Sequence, residues 1–207
     1  MTDRLAVYVL RILLALSAVG LGIGIAAHLA DGQPYAAAFV AAYLVWMLSE
    51  ARITVGTPTQ SAAETRTLVP YAVARVATAL TAAYSAPAAP GTFGAVLAGV
   101  FGAGVILRAW AIRELGVHYS HRVVRIAEDG LVSSGPYRLL RHPAYAGMVL
   151  ANIGFVGYFA SPASIAALTP LVAAILWRIR IEENVLAESA RYRVFAATRC
   201  RIVPGVW

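Results

Sequence analysis

Gly135-Pro136-Tyr137-Arg138-Leu139-Leu140-Arg141-His142-Pro143-Ala144-Tyr145-Ala146-Gly147 is the densest polar punctuation in a chain built mostly from Ala, Val, Leu and Gly. Its two prolines fix φ and remove two backbone donors, so the stretch cannot be an uninterrupted helix. Between them stand Tyr137, Arg138, Arg141 and His142, with Tyr145 just beyond. Gly147 lets the backbone approach a neighbour closely as the next apolar run begins. A rigid loop carrying donors and aromatic rings at the edge of apolar helices is suited to holding a polar ligand.

The surroundings of this loop set the class. Sixty per cent of the 207 residues are hydrophobic and 13% charged, far from the balance of a soluble domain. Upstream, apolar runs cover about Leu5–Leu29, Tyr35–Leu48, Leu68–Ala86 and Phe93–Ile112. Their lengths approach or reach those of membrane spans. Downstream, 148–160 and 163–177 are apolar again, broken by Ser161-Pro162. They are short for independent spans and predict a tilted helical hairpin. The expected fold is therefore all-α and polytopic, with about six crossings in one domain over 1–207. Four N-terminal helices lie in 1–112, and 113–207 holds the loop, the hairpin and a basic, partly helical tail. The first run is too long for a signal peptide and lacks a small-x-small cleavage site before Asp31. Gly20 and Gly24 have the spacing of close helix packing, a weak pattern on its own. Residues 50–67, with Glu50, Arg52, Glu64 and Arg66, read as a polar loop.

All 17 basic side chains are arginine. They cluster at the N-terminus, in 50–67, in 113–142 and in the tail, and the turns at 31–34, 85–92 and 160–163 have none. The positive-inside rule puts both termini and the motif loop in the cytoplasm. The expected location is a bacterial inner membrane. The net charge of +7 does not point to nucleic acid, because the arginines fall at the ends of apolar runs, not along one soluble face. Arg75 and Arg108 stand inside apolar runs, where a charge is costly. Snorkelling to a polar face is the favoured reading for Arg75; for Arg108 snorkelling and a functional role weigh equally.

The polar face offers His118, His121, Arg122, Arg125 and the motif residues, and the tail offers Glu182 and Glu183. His118-x-x-His121 with a glutamate is a possible zinc set, but surface histidines are the better reading without a helix face or cysteines to support it. Cys200 is the single cysteine, which excludes an internal disulfide. Glycine-rich nucleotide loops and nucleophile elbows are absent. Arg178 to Glu182 and Arg180 to Glu183 have the spacing of helical ion pairs.

Gly-Pro-Tyr-Arg-x-x-Arg-His-Pro-x-Tyr-x-Gly over 135–147 resembles the signature of the isoprenylcysteine carboxyl methyltransferases, integral membrane enzymes. Arg178-Ile179-x-x-Glu182-Glu183-x-x-Leu186 and Arg201-x-x-Pro204 resemble that family's second block. Glu188-Ser189 stand where the family usually has Phe-Gly, and Phe195 replaces the second of its two tyrosines while Tyr192 is kept. The resemblance implies S-adenosylmethionine as cofactor, held by Tyr137, Arg141, His142, Tyr145, Glu182 and Glu183. A sulfonium and an ammonium suit carboxylates, a carboxylate suits arginine, and adenine suits an aromatic wall. It also implies a lipophilic or lipidated acceptor entering from membrane lipid, with Arg178 or Arg108 holding an acceptor carboxylate. A phenolic lipid is the second choice of acceptor. Membrane reductases using NADPH share a Pro-x-Tyr motif, but Ala144 and Met148 stand where theirs carry asparagine and glutamate. A non-enzymatic assembly factor would have no use for His142 and Glu183 together.

Overall fold

The computed structural model describes residues 3–56, 62–87, 91–116 and 131–205. Among them the chain forms seven α-helices and no strand: α1 Asp3–Ala30, α2 Pro34–Gly56, α3 Ala62–Ala83, α4 Thr92–Leu115, α5 Pro143–Tyr158, α6 Pro162–Leu186 and α7 Ala190–Ala197. A 3-10 turn, Gly135–Arg138, opens the motif loop. Four helices are long and apolar enough to cross a membrane: α1, α2 up to Ala51, α4 and α6. The other two expected crossings do not reach that standard. α5 has only 16 residues, and α3 carries Thr67, Arg75, Thr78 and Thr81.

Three boundaries differ from those the sequence suggests. The stretch 50–67 is largely helical, because α2 continues to Gly56 and α3 starts at Ala62. At its two ends Glu50 meets Arg75 and Arg108, and Thr67 meets Arg178; 57–61 lie outside the described residues. α5 starts at Pro143, whose missing N–H costs nothing at a first helical position. α6 runs nine residues past the apolar stretch, to Leu186, so it carries Glu182 and Glu183. Its start is fixed by a reciprocal cap: the Ser164 amide donates to the Ser161 hydroxyl at 3.1 Å, and the Ser161 amide donates to the Ser164 hydroxyl at 2.9 Å.

Although α5 and α6 are consecutive, α5 packs chiefly on α4 and α6 chiefly on α3. In lipid no hydrophobic force draws helices together, so close backbone approach has to do it. Gly104, Gly147 and Gly154 provide it between α4 and α5. A Cβ on Gly147 would lie 2.6 Å from the Gly104 carbonyl, and one on Gly154 would lie 2.5 Å from the Phe101 amide. The close neighbour expected for Gly147 is thus α4. Gly20 and Gly24 face Leu80 and Ala83 of α3. Phe39, Tyr43, Phe101, Phe155 and Phe159 fill the centre.

Arg75 and Arg108 do not snorkel. Both turn inward onto Glu50: Arg75 Nη1 donates to Glu50 Oε2 at 2.7 Å, and Arg108 Nε pairs with Glu50 Oε1. Arg75 also lies over the Trp46 ring, 4.6 Å from its centroid. A buried ion pair between α2, α3 and α4 satisfies the charges better than a stretched side chain does, since each guanidinium keeps a carboxylate partner. The far end of the bundle is tied by His28, whose ring nitrogens lie 2.9 Å from Gln33 Oε1 and from the Ala83 carbonyl.

Candidate cofactor site at the loop, α6 and the tail

Three chain segments build one polar cluster. The motif loop contributes Arg141 and His142, α5 contributes Tyr145, and α6 contributes Arg178, Glu182 and Glu183. The tail after α7 contributes Arg199 and Arg201. It lies alongside the loop as a single parallel bridge between Leu140 and Cys200. The Arg141 amide donates to the Cys200 carbonyl at 2.8 Å, and the His142 amide donates to the Arg201 carbonyl at 2.9 Å. Pro143, having no N–H, ends this ladder. Arginine side chains complete the strap: Arg141 Nε donates to the Arg199 carbonyl at 2.8 Å, and Arg199 Nε to the Tyr137 carbonyl at 2.9 Å.

Glu183 is the hub. It accepts from Arg141 Nη1 at 3.0 Å and from Arg201 Nε at 2.7 Å, and His142 Nε2 lies 3.3 Å from its Oε1. Glu182 accepts from the Tyr145 hydroxyl and lies 3.8 Å from His142 Nδ1. Both ring nitrogens of His142 therefore face carboxylates. The helical pairs suggested by the i,i+4 and i,i+3 spacings give way to this arrangement: Arg178 points into the bundle, donating to Thr67 Oγ1 at 2.9 Å and to the Tyr145 hydroxyl at 3.3 Å. Loop and tail donors outcompete a solvent-exposed pair, because they meet Glu182 and Glu183 where the helix is half-buried.

The structure thus brings together Arg141, His142, Tyr145, Glu182, Glu183 and Arg178. Tyr137 stands one layer behind, its ring buried against Ala111, Tyr192 and Phe195, where it supports the loop. Arg108 belongs to the Glu50 cluster but touches the site indirectly, donating to the Ala144 carbonyl at 3.0 Å beside Tyr145. His118, His121, Arg122 and Arg125 lie outside the described residues. Sequence reasoning did not assign Thr67, Arg199 or Tyr192 to this region. Tyr192 was legible only as a tyrosine kept in the family's closing block. Arg199 acts through backbone carbonyls and leaves no side-chain pattern to read.

A cleft of about 300 Å³ opens beside the hub, between α6 and α7, lined by Arg141, Glu183, Tyr192, Arg193 and three alanines. That volume is at the lower end of small-molecule sites, roughly 300–1,000 Å³. The Tyr192 hydroxyl is buried and has no hydrogen-bond partner among the described residues. Burial pushes its phenol above the ordinary range, and the Glu183 carboxylate adds to the shift; the group is a neutral donor at physiological pH. A carboxylate and a guanidinium at one cleft fit a ligand carrying both an ammonium and a carboxylate, as S-adenosylmethionine does.

The model of the isoprenylcysteine carboxyl methyltransferase family matches residues 96–188, which include both motif blocks up to Leu186. The chain is 35% identical over 77 residues to protein-S-isoprenylcysteine O-methyltransferase A of Arabidopsis thaliana, covering 36% of this chain and 37% of that protein. It is 33% identical over 78 residues to a probable protein-S-isoprenylcysteine O-methyltransferase of Oryza sativa subsp. indica, covering 36% and 38%. The match spans little more than a third of the length of these curated relatives.

Proposed function

We propose, from the match of residues 96–188 to the model of the isoprenylcysteine carboxyl methyltransferase family, that this protein is a membrane methyltransferase. In this reading it moves a methyl group from S-adenosylmethionine to a lipophilic carboxylate. The observation that carries the reading is the meeting of Arg141 and Glu183 at one cleft, with His142 Nε2 against the same carboxylate. Bound S-adenosylmethionine supplies a methyl group on a positive sulfur, activated for in-line displacement. Glu182 and Glu183 offer carboxylates to its cationic groups, and Arg141 offers a guanidinium to its carboxylate. Arg178 is only 3% exposed and is anchored by Thr67 and Tyr145; we assign it to hold the acceptor carboxylate. Arg108 acts through the Ala144 carbonyl as a positioning residue. Alignment and exclusion of water can account for much of the acceleration.

A phenolic acceptor would need a base to remove its proton. His142 is the nearest candidate, but its Nε2 already faces Glu183 at 3.3 Å. The acceptor of the plant relatives' names, isoprenylcysteine, is one such lipophilic carboxylate. We further assign about six crossings of a bacterial inner membrane, with the site and both termini in the cytoplasm, on the arginine distribution. An impermeant maleimide applied to intact spheroplasts would then leave Cys200 unlabelled until permeabilisation; immediate labelling would invert the topology.

The deciding experiment is calorimetry of the purified protein with S-adenosylmethionine and, separately, NADPH. Binding of the first alone is expected. Glu183→Gln should weaken it by about ten- to a hundredfold, the equivalent of a charge-assisted hydrogen bond. Binding of NADPH instead would transfer the protein to the membrane reductases.

A further inference from the structure

Two threonines on α3 tie that helix to α6, and they do so in different ways. Thr78 Oγ1 donates to the Ala167 carbonyl at 2.8 Å, and Thr67 Oγ1 accepts from Arg178 Nη1 at 2.9 Å. The same stretch of chain, roughly three helical turns, separates Thr67 from Thr78 as separates Arg178 from Ala167, running the opposite way. The two bonds therefore pin one antiparallel register of α3 on α6, and interhelical hydrogen bonds are among the forces that hold helices together in lipid. The Thr78 bond ends on a backbone carbonyl, which any residue at 167 would provide. The Thr67 bond ends on a guanidinium that is buried and charged. One turn along α3 from Thr67, Tyr71 shares its face. The Tyr71 ring lies against the same guanidinium, 5.8 Å from Arg178 Cζ to the ring centroid, within reach of a cation–π contact. Its hydroxyl donates to Met148 Sδ at 3.5 Å, which ties the ring to α5. Arg178 Nε donates to the Tyr145 hydroxyl at 3.3 Å. Nε and Nη1 are thus engaged, and among the described residues no hydrogen bond involves Nη2. A fastener between helices needs one bond. Three contacts on one side chain fix where its remaining nitrogen stands.

We propose that Thr67 and Tyr71 are positioning residues for the methyl acceptor: they hold the Arg178 guanidinium so that Nη2 meets the acceptor carboxylate. The proposal rests on the acceptor reading above. It places part of acceptor selection on α3, no residue of which lies within the matched stretch 96–188. Arg178 stands one turn before Glu182 on α6, roughly 6 Å nearer the middle of that helix. A carboxylate that meets Arg178 there has to leave water, a cost that an attached apolar chain offsets by its own burial. The register of α3 on α6 thus selects for an acid carried on a lipophilic chain.

The test sets one threonine against the other. Steady-state methyl transfer to N-acetyl-S-farnesylcysteine, a lipophilic carboxylate, is measured with the full-length protein in detergent, varying this acceptor and S-adenosylmethionine in turn. Wild type is compared with Thr67→Val, Thr67→Ser and Thr78→Val. Thr67→Val should raise the acceptor KM about five- to tenfold, the loss of one hydrogen bond, and leave the S-adenosylmethionine KM within about twofold. Thr67→Ser keeps the hydroxyl and should restore the wild-type acceptor KM. Thr78→Val should lower the melting temperature without moving either KM. An unchanged acceptor KM in Thr67→Val, an equal rise in Thr78→Val, or an equal rise for both substrates would make Thr67 a fastener of helices and overturn the proposal. Should Thr67→Val not fold, Tyr71→Leu decides the question. Loss of the ring should raise the acceptor KM alone, and an unchanged value would refute the assignment. Failure of the wild type to methylate this probe would overturn the acceptor reading itself, a result distinct from any change of KM in a variant.

Discussion

Two ionic clusters in this molecule use the same chemical parts and end in different states. Glu50, Arg75 and Arg108 come from three helices, and their side chains are 5–11% exposed. Arg141, His142, Glu182, Glu183 and Arg201 come from a loop, a helix end and a tail, and their exposure is graded from 7% at His142 to 33% at Arg201. The first cluster holds helices together across a low-dielectric interior. The second has members on a cleft, and Arg201 is its most exposed member. Burial is near uniform in the first cluster and graded in the second.

The sharpest way to break this contrast is the same substitution in both places. Glu50→Gln leaves Arg75 and Arg108 facing one another without their carboxylate, and should cost about 3–5 kcal/mol of stability. Glu183→Gln should cost under about 1 kcal/mol, because its partners can turn to water, and its effect should appear in ligand affinity. Thermal denaturation of both variants in detergent checks the pair; equal losses would mean that the loop cluster is as sealed as the helical one.

Within the helical cluster a smaller effect is expected from Arg75→Met. Glu50 and Arg108 remain as a neutral pair, so no uncompensated charge is left. Methionine also removes two buried guanidinium nitrogens, Nε and Nη2, that have no hydrogen-bond partner among the described residues. Stability should stay within about 1 kcal/mol of wild type, on either side. A loss as large as that of Glu50→Gln would show that all three members are required together.

The smallest effect concerns pH. A lipophilic carboxylate with a pKa near 4 is ionised throughout roughly pH 6 to 9, so single-turnover methyl transfer to it should change by less than about twofold there. A rise of about tenfold per pH unit would point to a hydroxyl acceptor of pKa near 10 and would require a base at the loop cluster.

The helices and the loop were legible because each is written in adjacent residues. Apolar runs mark α1 to α6, and Pro136 and Pro143 punctuate the loop between α4 and α5. Arg178, Glu182 and Glu183 share one helix, so their convergence on the loop could be expected once the motif was seen. The helical cluster was not legible in this way. Glu50 finds Arg75 25 positions away and Arg108 58 away, and each arginine looks in the sequence like a charge seeking the membrane surface. Glu50 itself opens a polar stretch that reads as a loop, although α2 carries on to Gly56. The tail strap was hidden for another reason: it is made through backbone carbonyls, which every residue has.

That strap bears on how the protein is made. The backbone acceptors for the Arg141 and His142 amides are Cys200 and Arg201, and the Arg141 guanidinium is held by the Arg199 carbonyl. All three are synthesised after the last of the seven helices. A chain truncated before Arg199 would keep all seven described helices and lose the backbone acceptors that close the loop. The helical bundle and the closure of the loop are thus encoded in separate parts of the chain, in that order.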